Sequence, residues 1–290
     1  GGAGFIGSHL VDKLISLGNK VICIDNESAK NDSFFWNDKA LNVKEDIMDF
    51  NKIEKFFNNV DFVFHLAAES RIVNAIENPS HAYKVNILGT ENILKASKKY
   101  EIKRFILSST SSVYGLNEPP NSEEDKVDCL NPYSLSKLFS EQLVTYYCKI
   151  HQLPSTILRY FNVFGERAPS NGYYAPVTGI FLRQYKEKKS LTIVGDGSSL
   201  RDFIHVDDII SANIIFMTDF YKEDLNDVFN IGSSSNISVK EIADMISNLQ
   251  TNSPPRVGEA KKTLANTNKI KKVTGWKPKI KISDWIKEQL

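Results

Sequence analysis

Cysteine is scarce in this chain. Cys23, Cys129 and Cys148 are its three, too few and too scattered for a disulfide framework or a metal cluster, so no metal is expected and a reducing, cytoplasmic setting is the default. An excess of either charge sign is lacking as well. With 36 Lys and Arg against 35 Asp and Glu the formal net charge is +1, which gives no broad attraction for nucleic acid or an anionic membrane. A pocket for the phosphates of a small ligand needs only a few arginines and stays open. Long apolar runs are missing: none approaches the ~18 residues a membrane span requires. What these exclusions leave, 290 residues of which 41% are hydrophobic and 24% charged, is a globular protein able to bury one large core or two modest ones.

The chain opens on glycine. Gly1-Gly2-Ala3-Gly4-Phe5-Ile6-Gly7 leads into an apolar-periodic helix through Leu10, Leu14, Ile15 and Leu17, stopped by Gly18. Gly2, Gly4 and Gly7 satisfy G-x-G-x-x-G, and Gly1, Gly4 and Gly7 satisfy G-x-x-G-x-x-G; alone, either spacing is a weak signal. Its weight comes from the strand Lys20 to Ile24, which ends in Asp25, eighteen positions after Gly7. Glycines let the backbone approach a pyrophosphate, a helix N-terminus favours its charge, and an acid about 20 residues on meets the ribose hydroxyls. Such a fingerprint follows a buried first strand. No strand stands before Gly1, so the expectation is that ~6–10 further residues, one strand's worth, belong ahead of it, and function is read for that intact parent.

The alternation then continues. Asp46-Ile47 closes a short strand where an adenine edge can be met. Asp61-Phe62-Val63-Phe64-His65-Leu66-Ala67-Ala68 reads as a buried strand ending in small residues, which admit a cofactor close to the backbone, with His65 as a satisfied core histidine. After Pro79 a long helix carries Asn86 and Gly89 to about Lys99, and the strand Arg104 to Leu107 follows. This βαβαβ rhythm predicts a parallel, doubly wound sheet with its site at the strand ends.

Two groups bring chemistry to that site. The hydroxyl run Ser108 to Ser112 leaves the strand at its carboxyl end, and Tyr133 and Lys137 stand four apart at the start of an apolar-periodic helix reaching Ile150. Residues i and i+4 share a helix face, so the Lys137 ammonium is expected to lower a phenol pKa of about 10. Tyr133 then qualifies as a general base, with a strand-end hydroxyl sharing the proton it moves.

Taken together, these residues resemble the extended short-chain dehydrogenase/reductase superfamily and, within it, the NAD-dependent nucleotide-sugar epimerase/dehydratase group, closest to UDP-glucose and UDP-N-acetylglucosamine 4-epimerases. The resemblance runs from Gly1 to about Ile280. It implies an α/β fold: a Rossmann-type doubly wound parallel sheet over residues 1–160 that binds NAD, and a smaller, predominantly substrate-binding lobe over 161–290, some of whose segments return to the first domain. It implies Thr110, Tyr133 and Lys137 as the catalytic set. Around NAD it places Gly1, Gly4, Phe5, Ile6, Gly7, Asp25, Asn26, Asp46, Ile47, Leu66, Ala67, Ala68, Asn86, Ser108 and Tyr160, besides Tyr133 and Lys137. The acid at the ribose disfavours a 2′-phosphate, so NAD is expected over NADP. For a UDP-sugar it implies Thr110, the substrate-facing Asn162, Thr192 and Val194 along the nucleoside, Arg201 and Arg256 on the diphosphate, Glu259 on the nucleoside ribose, and Thr263. Gly172 to Val177 reads as a loop over the ligand. The helices after Pro79 and Pro132 are expected to pair across a two-fold axis into a four-helix bundle, giving a homodimer.

Which reaction follows turns on two positions. In a 4,6-dehydratase of this group an Asp-Glu pair directly follows the catalytic Thr; here those positions are Ser111 and Ser112, and hydroxyls do not replace a carboxyl acid and base at neutral pH. The expectation is a C4 epimerase working through a transient 4-keto sugar on a UDP-hexose, with a 4,6-dehydratase or a UDP-glucuronate 4-epimerase as alternatives and a non-catalytic NAD-binding regulator behind them. In the group, a bulky aromatic four beyond the ribose-binding acid excludes N-acetyl sugars. Thr263 at that position leaves room for an acetamido group, favouring UDP-N-acetylglucosamine alongside UDP-glucose.

Overall fold

The computed structural model describes residues 1–29, 33–171, 175–217, 226–255 and 260–290. Two parallel sheets carry the first half. Strand β1 (Ile22–Asp25) pairs with β2 (Leu41–Lys44), with Asp25 opposite Lys44. Strands β3 (Phe62–His65), β4 (Arg104–Thr110) and β5 (Ser155–Tyr160) lie side by side in a second sheet. Short strands follow: β6 (Asn162–Phe164), β7 (Leu191–Val194) and β8 (Leu200–His205). Strand β9 (Asn226–Ile231) returns to pair parallel with β5, so the central sheet, ordered β3-β4-β5-β9, takes strands from both sides of residue 160. Strand β10 (Asn236–Ser238) then pairs antiparallel with β8, and β11 (Gln250–Ser253) parallel with β7.

The central strands are apolar on both faces because both are covered, as parallel sheets require. Phe105, Leu107 and Ile157 pack on one side with Ile53, Phe57, Ile93, Leu94 and Val144. Ile106 and Leu158, pointing the other way, pack with Ile204, Ile209, Phe216, Phe229 and Trp276. A further core gathers Phe164, Phe181, Leu191, Ile193, Phe203, Ile242 and Trp285.

Three local features position the site. The glycine loop sits between the ends of β1 and β3: the Gly1 nitrogen donates to the Ile24 carbonyl at 2.6 Å, and a Cβ on Gly1 would come within 2.5 Å of the Ala67 nitrogen. The helix Phe5–Ser16 springs from it and packs Leu10 and Leu14 on Val206 and Ile210. The second feature is the helix Pro132–His151. It starts abruptly because Asn131 caps it: the Ser134 nitrogen donates to Asn131 Oδ1 at 2.9 Å, the Asn131 nitrogen to Ser134 Oγ at 3.3 Å, and Pro132 occupies the first turn. This reciprocal cap fixes where the first turn, and so Tyr133, begins.

The third departs from expectation. The run after Pro79 is three pieces, Pro79–Tyr83, a π-turn Lys84–Leu88 and Gly89–Lys99. The wider turn carries the Asn86 side chain out of the helical ladder to the backbone of Glu69, whose nitrogen donates to Asn86 Oδ1 at 2.8 Å and whose carbonyl accepts from Nδ2 at 2.9 Å. Such single π-turns mark places where a helix side chain is re-aimed. Among the described residues no helix is long and apolar enough to cross a membrane.

Candidate active site

The strand ends and the glycine loop enclose a cavity of about 410 Å³. Its floor is backbone. Gly1, Gly4 and Gly7 line it, with Phe5 and Ile6 at the start of their helix, and a Cβ on Gly7 would fall 2.1 Å from the Gly1 carbonyl oxygen. Only glycine permits that approach, and the result is a row of helix N-terminal amides facing the cavity. Asp25 stands beside them. One carboxylate oxygen accepts from the Ala3 nitrogen at 3.0 Å and the other from Glu27 at 2.8 Å, so the acid ties the glycine loop to the end of β1 while lining the cavity. Asn26 donates to Asp46 at 2.9 Å, and both line the wall with Ile47. Leu66, Ala67 and Ala68 supply the end of β3, and Ser108, Tyr160, Tyr133 and Lys137 close the far end. A glycine loop in which a Cβ at Gly1 or Gly7 would strike backbone, an acid beside it and small residues at the strand ends form a cradle that fits a dinucleotide.

Of the residues expected around that ligand, Asn86 is not one of the lining residues. It is buried, and its amide is taken up by Glu69 and by Ser136 Oγ at 2.8 Å. It braces the β3 loop against the helix that bears Tyr133, behind the cavity wall. Tyr160 is likewise braced: its hydroxyl meets Ser108 at 3.0 Å and the Asn213 side chain at 2.7–2.9 Å. Burial lifts this phenol to about 12, so it stays neutral. His65 is a core residue held by Thr90 at 2.9 Å, kept uncharged by burial and by the Lys137 ammonium.

The residues expected to be catalytic stand at the end of β4 and on the helix Pro132–His151. Thr110 accepts from the Ser112 nitrogen at 3.1 Å, and its hydroxyl is close enough to the Tyr133 phenol to act against the rise in that phenol's pKa. Lys137 is 3% exposed, one turn along from Tyr133 on the same helix, and lines the cavity with it. The expected lowering of the phenol is reversed here. Burial raises Tyr133 above its ordinary value, the Thr110 hydroxyl opposes it only in part, and the Glu69 charge adds to the rise. Lys137 itself is brought down to about 8 by burial, against the pull of Glu141. Burial sets the direction for both groups, and Lys137 is not among the causes of the Tyr133 shift.

A second cavity of about 180 Å³ adjoins the first, sharing Ile72. Ser111 and Ser112 line it, as do Asn162, Arg201 and Thr263. The Thr263 hydroxyl accepts from Asn162 Nδ2 at 3.2 Å and from the Asp202 nitrogen at 3.1 Å. Behind them the buried Asp202 carboxylate gathers the nitrogens of Ser233, Ser234 and Ala265 at 2.7–3.0 Å, clamping three chain segments together. Thr192 and Val194 line neither cavity; Thr192 is held by Gln184, which donates to its hydroxyl at 2.8 Å and accepts from its nitrogen at 2.9 Å. Arg256, Glu259 and Gly172 to Tyr174 lie outside the described residues. Among the described residues no group of three or more His, Cys, Asp or Glu is placed to hold a metal.

Several lining residues escaped the sequence reading. Ser70, Arg71, Ile72 and Val73 follow the β3 end in the first cavity, and Asn121 and Asn131 line the second. The signal for the first group was their place just beyond Ala67-Ala68, at the carboxyl end of a strand.

The sequence profile of the NAD dependent epimerase/dehydratase family matches residues 1–232. The chain belongs to that family. A putative UDP-glucose 4-epimerase of Methanocaldococcus jannaschii is 38% identical, over 99% of this chain and 94% of its own. A crystal structure of a UDP-glucose 4-epimerase from Thermotoga maritima, with UDP-glucose, matches with a TM-score of 0.91 at 35% identity, covering 99% of this chain and 94% of that one. A UDP-N-acetylglucosamine 4-epimerase from Methanobrevibacter ruminantium, in complex with UDP-N-acetylmuramic acid, matches with a TM-score of 0.90 at 33% identity and the same coverage. The chain has the Rossmann-type fold of these structures and is an NAD-dependent enzyme of the nucleotide-sugar epimerase group.

Proposed function

We propose that this enzyme inverts C4 of a UDP-hexose, with UDP-N-acetylglucosamine as the preferred substrate and UDP-glucose accepted. The observation that carries this reading is the position of Tyr133 and Lys137 in the cradle for a dinucleotide, beside a second, polar cavity lined by Ser111 and Ser112 in place of carboxylates. Tyr133 acts as the phenolate, its own proton having first gone to solvent, and takes the proton of the C4 hydroxyl with the Thr110 hydroxyl beside it. NAD, when bound, supplies the acceptor that removes the C4 hydrogen with its electron pair and gives it back. Lys137 sets its ammonium in the same cavity, favouring the phenolate as the proton moves. The keto-sugar turns over in the second cavity before the hydrogen returns to its other face, and Tyr133 restores the proton. With only hydroxyls at 111 and 112, elimination of water across C5 and C6 lacks its acid and base.

In this reading Gly1, Gly4, Phe5, Ile6, Gly7, Asp25, Asn26, Asp46, Ile47, Leu66, Ala67, Ala68, Ser108 and Tyr160 hold NAD, and Asn86 braces its pocket. Arg201 and Arg256 clamp the diphosphate, a task suited to guanidinium forks, with Thr192, Val194 and Glu259 on the nucleoside and Asn162 and Thr263 on the sugar. Residues 1–160 are chiefly the NAD domain and 161–290 chiefly the substrate lobe, β9 excepted. Phe139, Tyr146 and Ile150 on the helix Pro132–His151 and Leu88 before Gly89 are exposed apolar side chains; spaced by seven and four, the first three share a face and support a homodimer through a four-helix bundle. The free cysteines Cys23, Cys129 and Cys148 support a cytoplasmic setting.

The test is direct. The protein is incubated separately with UDP-N-acetylglucosamine, UDP-glucose and UDP-glucuronate, and the products are resolved by NMR. The C4 epimer of the N-acetyl sugar, formed fastest, is the expected result; a 4-keto-6-deoxy product means dehydration, and net NADH accumulation means a simple dehydrogenase.

A further inference from the structure

One buried polar group in the second cavity has no role in the chemistry above. Asn121 is 3% exposed, yet its Nδ2 has no hydrogen-bond partner among the described residues. Its backbone is fully engaged: its nitrogen donates to the Leu264 carbonyl at 2.8 Å, and its carbonyl accepts from Asn266 at 2.8 Å and from Asn230 Nδ2 at 2.9 Å. The segment is thereby pinned alongside Leu264 to Asn266, one residue from Thr263, and Asn121 is one of the residues lining the cavity that Thr263, Asn162 and Ser112 share. Buried amide donors are nearly always paired. One left over in a cavity beside the position that sets pocket size is suited to a carbonyl acceptor brought by the ligand.

We propose that Asn121 is a specificity-determining residue, its side-chain amide donating to the acetamido carbonyl of an N-acetylhexosamine nucleotide. Thr263 leaves the volume for that group and Asn121 supplies the donor that recognises it. A glucose moiety carries a hydroxyl in place of the acetamido group and makes less use of the donor. The inference rests on the N-acetyl reading of the preceding section.

The experiment compares Asn121→Leu and Asn121→Asp with the wild-type full chain, measuring kcat/KM for UDP-N-acetylglucosamine and UDP-glucose side by side. Both variants remove the amide donor; Asn121→Asp also keeps the side chain's shape and is assayed above neutral pH so that its carboxyl is the acceptor-only carboxylate, so it reads the effect if the leucine variant folds poorly. Expected is a loss on the order of tenfold or more for the N-acetyl sugar, with UDP-glucose within about threefold of wild type. Equal losses for the two substrates would mean a structural role, and no loss for either would mean the donor is satisfied by solvent; each overturns the proposal while the N-acetyl reading stands. Wild-type protein that does not turn over UDP-N-acetylglucosamine removes that reading and this proposal with it.

Discussion

The two cavities teach different lessons about how a sequence writes a site. The first is built by backbone: its specificity lies in where side chains are absent, at Gly1, Gly4 and Gly7, and in one acid at the end of the next strand. The second is built by residues from well-separated parts of the chain, among them Ser112, Asn121, Asn131, Asn162, Arg201 and Thr263, which only the folded chain brings together. The first cavity, proposed for the cofactor, is therefore read by spacing, and the second, proposed for the sugar, by geometry.

Substitutions at the junction and on either side of it are expected to separate the two. The largest effect falls at the junction: Tyr133→Phe is expected to lower kcat by roughly 10²–10⁴-fold while UDP-sugar and NAD binding, followed by calorimetry, are retained. Turnover at the wild-type rate would take Tyr133 out of its role. Next comes Thr263→Tyr, a change on the sugar side alone. It should cut kcat/KM for the N-acetyl sugar by roughly 10–200-fold and spare UDP-glucose; loss of both substrates would show that Thr263, hydrogen-bonded to Asn162, holds the cavity together and does not size it. On the cofactor side, Asp25→Ala should weaken NAD binding by about tenfold, the value of a hydrogen bond to a charged group, and erode the preference over NADP. An unchanged NAD-to-NADP ratio would overturn the ribose assignment.

The smallest effect is in pH. Lys137 is brought down to about 8 by burial, so its ammonium is present below that pH and is lost as pH rises through it. The profile of kcat/KM, which reports the free enzyme, should fall on its alkaline side near 8. Lys137→Arg, which stays charged, should move that fall upward even though its overall rate is lower; an alkaline limb that does not move would assign it to another group.

What was legible follows the same division. The glycine loop, Asp25, the strand ends at Ala67-Ala68 and Ser108, and the Tyr133/Lys137 pair were readable because each obeys a short-range rule of spacing and period. The π-turn was not, because nothing in Lys84 to Leu88 announces that Asn86 leaves the ladder to hold Glu69. The direction of the Tyr133 shift was misread for a related reason: the i, i+4 spacing reveals a neighbouring lysine but not the burial that raises the phenol. Asn121 was invisible because its meaning comes from Leu264 and Ala265, far along the chain. Thr192 carries a motif but spends its hydroxyl on Gln184, a partner no pattern names.

The central claim is that the C4 hydrogen leaves the sugar and comes back to its other face within one closed site. It is tested most directly with UDP-N-acetylglucosamine carrying deuterium at C4, incubated in ordinary water and followed by NMR. The account predicts the C4 epimer with the deuterium still at C4. Deuterium lost to solvent, or a product epimerised at another carbon, would contradict it.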